Sequence, residues 1–107
     1  MTEGLITTLA VGIIIIVLGA INMTGNISSL HSYHRHRVAE EDIKPFGRLV
    51  GLGHILCGVG VIVFGTLTFA LEGLLSPLAS GVIFGAFLAL GLGISFYAMI
   101  KYNKGIF

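Results

Sequence analysis

The chain has 107 residues, 55% of them hydrophobic and only 10% charged, with a net charge of +1 and a mean hydropathy of +1.00. That length suits one domain, and so few charges argue against a soluble globular protein, whose composition runs to about 25% charged residues. The net charge carries no signal for nucleic acid, and no such partner is expected. The single cysteine, Cys57, excludes an intramolecular disulfide.

The first apolar run, roughly residues 5 to 23, contains VGIIIIVLGAI. At about 1.5 Å per residue it matches a hydrocarbon layer about 30 Å thick. No Lys or Arg precedes it, and no small-residue cleavage site follows, so it reads as a retained span rather than a secretion signal. Thr8, Gly12 and Gly19 fall on one side. Asn22 lies near its end, where its amide reaches headgroups or a neighbouring carbonyl, or lines a polar path. Gly25-Asn26 is a turn signal.

Residues 24 to 45, TGNISSLHSYHRHRVAEEDIKP, form the one substantial polar segment. Ile27, Leu30, His34 and Val38 recur at helical spacing. This predicts a short helix lying along the membrane surface, with Arg35 and Arg37 reaching toward headgroups. Glu40, Glu41 and Asp42 are placed in the first turn of the next helix, facing its positive end. They can also pair with Arg35 and Arg37.

The second span, roughly residues 46 to 71, carries Gly47, Gly51, Gly58 and Gly65 on one face, with His54 pointing the same way. Gly53 and Gly60 lie on a second face. Glycine weakens a helix in water, but in lipid small residues let helices approach closely. Two such faces predict two close neighbours, spans 1 and 3, on a central helix. The third span, roughly residues 78 to 100, follows a connection (Glu72 to Ser76) so short that the two must be antiparallel neighbours. Ser76 is the expected cap and Pro77 fits the first turn. Gly81, Gly85, Ala89 and Gly93 form a four-residue small-residue ridge for helix packing. Lys101, Tyr102 and Lys104 read as an interfacial anchor.

All six Lys and Arg residues lie in the first loop or its edge (Arg35, Arg37, Lys44, Arg48) or in the tail (Lys101, Lys104). The positive-inside rule then places the N-terminus outside, and loop 24–45 and the C-terminus in the cytoplasm. The expectation is one integral domain over residues 1–107: an all-α, multi-pass protein of the cell membrane, with three transmembrane helices and a short cytoplasmic interfacial helix between the first and second.

Candidate chemistry is sparse. His31 and His34 share a helical side and could hold a metal with Glu40 or Glu41, but neither an HExxH nor a paired CxxC accompanies them. The loop set His31, His34, Arg35, His36, Arg37, with Arg48, reads more simply as a basic surface for anionic lipid headgroups or a partner. It could also sense pH through its histidines. His54 lies two to three turns inside helix 2, where a polar ring faces protein and has a partner. It is either a satisfied packing residue or, with Asn22, a polar site for a ligand or proton. No nucleophile–base pair, carboxylate pair or phosphate-binding loop is present, so neither catalysis nor a cofactor is expected.

The stretch GNISSLHSYHRHRV, residues 25 to 38, followed by Glu40-Glu41-Asp42 and by PFGRLVG from Pro45 to Gly51, resembles an uncharacterised family of short three-span membrane proteins of Gram-positive bacteria. In that family similar polar motifs join the first two spans. The resemblance implies that loop 25–42 is the distinctive part and supplies no activity. Ala39 stands where a capping serine or threonine is expected. The function expected is structural, regulatory or partner- and lipid-binding, in a homo-oligomer assembled through span 1 or the span 3 ridge. The alternative is an oligomeric channel or transporter for a small solute or ion.

Overall fold

The computed structural model describes residues 2–30 and 32–105, the side chains of Ser32 and Tyr33 aside. It is all-α, without strands among the described residues. Three helices are long and apolar enough to cross a membrane: α1 (Thr2–Met23), α3 (Ile43–Gly65) and α4 (Pro77–Tyr102). A single helical turn, α2 (Ser32–Arg35), lies in the first connection. The molecule measures 48 × 21 × 18 Å, longer than the hydrocarbon layer of about 30 Å, so its ends reach into the headgroups. Large apolar side chains such as Ile6, Ile13, Ile14, Val82, Leu90 and Ile100 are exposed, as lipid-facing positions are.

α3 is the central helix. α1 and α4 each pack along it and have little contact with each other. The first glycine face does what its spacing predicts. A methyl on Gly19 would stand 2.6 Å from the Gly51 carbonyl, one on Gly58 would stand 2.7 Å from the Gly12 carbonyl, and Gly47 lies against the Asn22 carbonyl. Gly65 receives the Thr8 side chain. Backbone approach of this kind supplies dispersion contacts where lipid offers no hydrophobic drive. The second face holds α4: Gly53 meets Ser95 and the Gly91 carbonyl, and Gly60 meets Phe87. Ser95 Oγ reaches the Val50 carbonyl across this contact at 3.5 Å.

The α4 ridge is not used within the chain. Gly81, Gly85 and Gly93 have nothing within 4 Å of an added Cβ, and Ala89 is exposed with them. Gly91 and Ser95 make the intramolecular contact instead, from a different side of the helix.

The helix boundaries have local causes. α1 stops at Met23 because Gly25 takes φ +99°, a conformation costly for any residue with a Cβ. Glu40–Asp42 form a 3-10 turn ahead of α3, and neither Ala39 nor Asp42 caps by its side chain. Pro45 sits in the first turn of α3, where its missing N–H costs nothing. α3 widens into a π-helical stretch, Thr66–Ala70, closed by Leu71 N–H donating to the Thr66 carbonyl. Ser76 caps α4 by accepting from Ala79 N–H at 3.1 Å, with Pro77 at the first helical position.

The first connection departs from the surface-helix expectation. Ile27, Leu30 and Val38 are drawn onto a core of Phe46, Val50, Ala98 and Met99, joined by Tyr102. Phe46 and Tyr102 meet edge to face with centroids 6.3 Å apart. Helical spacing survives only as one turn, because separate turns at Ile27–Leu30 and Arg35–Val38 bury these apolar side chains against protein.

Candidate functional site

Two fully buried asparagines fasten the first connection to the helix ends. Asn103 follows α4. Its Oδ1 accepts from Arg37 N–H at 2.8 Å and its Nδ2 donates to the Gly105 carbonyl at 3.0 Å. Arg37 Nη1 also approaches the Lys104 carbonyl at 3.4 Å. Asn22 lies in the last turn of α1. Its Nδ2 donates to the Asn26 carbonyl and to Ser29 Oγ, both at 3.0 Å, while its Oδ1 lies 3.1 Å from His54 Nδ1.

This arrangement fixes a proton. A backbone carbonyl only accepts, so the Asn22 edge that faces Asn26 must be the NH2 group. The edge facing His54 is then the carbonyl oxygen, and Nδ1 must carry the hydrogen that it accepts. In the uncharged ring the lone pair is therefore on Nε2. Among the described residues Nε2 has no hydrogen-bond partner, and it remains accessible.

His54 and Asn22 line a cleft of about 450 Å³, within the range of about 300–1,000 Å³ typical of small-molecule sites. His54 and Cys57 of α3 form its floor. Ile15 and Leu18 of α1 and Leu88 and Leu92 of α4 form its walls, and Ser29, Leu30 and His34 roof it. The cleft exists because α1 and α4 each contact α3 but leave a gap between themselves. Its polar groups gather under the roof, and its walls are apolar. Among the described residues no Lys, Arg, Asp or Glu lines it.

The structure thus unites the two regions that the sequence kept apart: His54 with Asn22 in the spans, and His34 of the loop. The remaining loop cations lie elsewhere. Arg35 Nε donates to the Leu30 carbonyl at 3.0 Å, bracing the roof. His36, Arg37 and Arg48 are exposed, and His31 lies outside the described residues. Arg35 and Arg37 bind backbone carbonyls rather than the Glu40–Asp42 carboxylates. Among the described residues no group of three or more His, Cys, Asp or Glu is placed to hold a metal. The sequence reading missed Ser29, Leu88, Leu92 and Asn103. Asn103 had one usable signal, an amide just past the end of a long helix.

Compared with protein-family models, with curated proteins and with solved structures, the chain matches none.

Proposed function

We propose that this protein is a small membrane-embedded binding protein that holds one amphiphilic molecule, a membrane lipid, in the cleft between α1 and α4. The observation that carries this reading is the polarity of the cleft: polar side chains under the roof and only apolar walls beyond them. An acyl chain lying along Ile15, Leu18, Leu88 and Leu92 would bury apolar surface on both sides, with its polar end at Asn22 and His54. The role is regulatory or structural rather than catalytic. The exposed Arg37, Lys44 and Arg48, which lie in the first connection or at its edge, meet anionic headgroups of the cytoplasmic leaflet. This follows the orientation given by the positive-inside rule, with the N-terminus outside.

The outward ridge of Gly81, Gly85, Ala89 and Gly93 supports self-association through α4. It also leaves room for a second reading, an oligomeric channel. Within one chain, however, no polar side chain among the described residues lines the cleft beyond Cys57.

The test is native mass spectrometry of protein released from lipid nanodiscs, with Leu92→Trp to fill the cleft. Retention of one lipid per chain by the wild type and its loss in L92W is the expected result. Equal retention by both would overturn the lipid-binding reading. Ion or solute flux through reconstituted protein, absent in His54→Leu, would favour the channel.

A further inference from the structure

Resting on the lipid-binding reading, we infer that the cleft selects an uncharged lipid bearing a free hydroxyl at the glycerol level, of the diacylglycerol type. The selecting atom is His54 Nε2.

Asn22 cannot donate to His54. Its NH2 group is committed to the Asn26 carbonyl and Ser29 Oγ, so only its oxygen is available to His54. That contact consumes the Nδ1 hydrogen and presents the cleft with an acceptor. A bare lone pair facing hydrocarbon is unfavourable, because no water is present to bond it. The complementary ligand supplies a hydrogen-bond donor, and the simplest lipid donor is a hydroxyl.

Charge points the same way. With the ring uncharged, a phosphate oxygen opposite Nε2 would set acceptor against acceptor, and among the described residues no Lys or Arg lines the cleft to offset it. A cationic headgroup lacks a facing carboxylate for the same reason. Depth agrees as well. His54 lies six residues beyond Arg48 in α3, about 9 Å along the helix at ~1.5 Å per residue. With Arg48 at the headgroups, Nε2 lies below them, where a hydroxyl on the glycerol backbone resides and a phosphate does not.

The experiment uses the full-length wild type in phosphatidylcholine nanodiscs. It compares retention of 1,2-diacylglycerol with that of the same lipid acetylated on its free hydroxyl. Capping removes the donor and keeps the chains. We expect about tenfold weaker retention of the capped lipid, the worth of one hydrogen bond. We also expect ¹⁵N spectra of His54 with Nδ1 protonated and with the Nε2 resonance shifted by diacylglycerol but not by its acetate. Equal retention of the two lipids, displacement of diacylglycerol by phosphatidic acid, or a ring protonated on Nε2 alone would each overturn the inference. If capped and free lipids are retained equally but both are lost in Leu92→Trp, lipid binding stands and only the selectivity fails. If neither lipid is retained above phosphatidylcholine and L92W changes nothing, the lipid-binding reading fails with it.

Discussion

The two ends of this molecule are built differently. At the end carrying the first connection, Phe46, Val50 and Ala98 are fully buried and Met99 nearly so, with Ile27, Leu30 and Val38 folded over them. Two asparagines bind that connection to α1 and α4. At the other end the chain from Leu71 to Leu78 is exposed throughout, Leu74 and Leu78 included. The difference follows from the solvent. Between the ends, lipid is as apolar as leucine, so the helices hold by glycine-mediated approach rather than by hydrophobic burial. Where the chain emerges toward water the hydrophobic effect returns, and the end with enough chain to fold back builds a core. The five residues from Glu72 to Ser76 can only turn.

The largest effect is expected where backbone meets backbone. In Gly51→Leu the new side chain enters the space of the Gly19 carbonyl and the Met23 side chain and backbone. The backbone cannot move aside locally, so a loss of about 3 kcal/mol or more is expected. Unfolding titrations in mixed micelles would measure it. A G51L protein as stable as wild type would mean that the α1–α3 contact is not this close. The core at the loop end is probed by Phe46→Ala, expected to lose about 3 kcal/mol, against Leu74→Ala at the exposed end, within about 0.5 kcal/mol. Equal losses would erase the contrast between the ends.

That contrast was only partly legible in the sequence. The three spans follow from run length and charge placement. The α3 glycine faces follow from helical geometry, and Gly47, Gly51, Gly58 and Gly65 meet α1 as their spacing requires. The Ser76 cap was equally plain, because its signal is local. The loop was harder. The spacing of Ile27, Leu30 and Val38 suits a surface helix as well as a folded cap, and only the presence of Phe46 and Met99 beneath them decides between these. On α4 the most regular pattern misleads about the internal contact: Gly81, Gly85, Ala89 and Gly93 face outward, while the less patterned pair Gly91 and Ser95 packs on α3. His54 and Asn22 each stood out as polar residues in apolar runs. Their hydrogen bond depends on the register of α1 against α3, which no single stretch encodes.

The clasps give an intermediate effect. Asn103→Ala removes the acceptor of the Arg37 N–H and the donor to the Gly105 carbonyl. Water can reach exposed Arg37, so the expected cost is about 1 kcal/mol. That corresponds to about fivefold more opening of the loop. Amide exchange at Arg37 and proteolysis within residues 24–42 should accelerate by that factor, while the core amides of α3 stay unchanged. Acceleration throughout α3 would mean that the loop and the bundle open as one unit, and that the clasp secures the whole fold.

The smallest effect on the fold is expected from Gly81→Leu. It makes the same chemical change as G51L, near the start of α4, where nothing lies within 4 Å of the added Cβ. Leucine is also the better helix former by several tenths of a kcal/mol. The monomer should therefore stay within about 0.5 kcal/mol of wild type, or gain slightly. Its value lies in a second readout. If α4 joins copies through its small-residue ridge, the leucine separates the backbones and the oligomer dissociates in native mass spectra while the monomer remains folded. An unchanged oligomer would assign self-association to another face, α1 first among them. A destabilised monomer would mean that α4 packs on α3 through the ridge after all, overturning the separation of inner and outer faces on this helix.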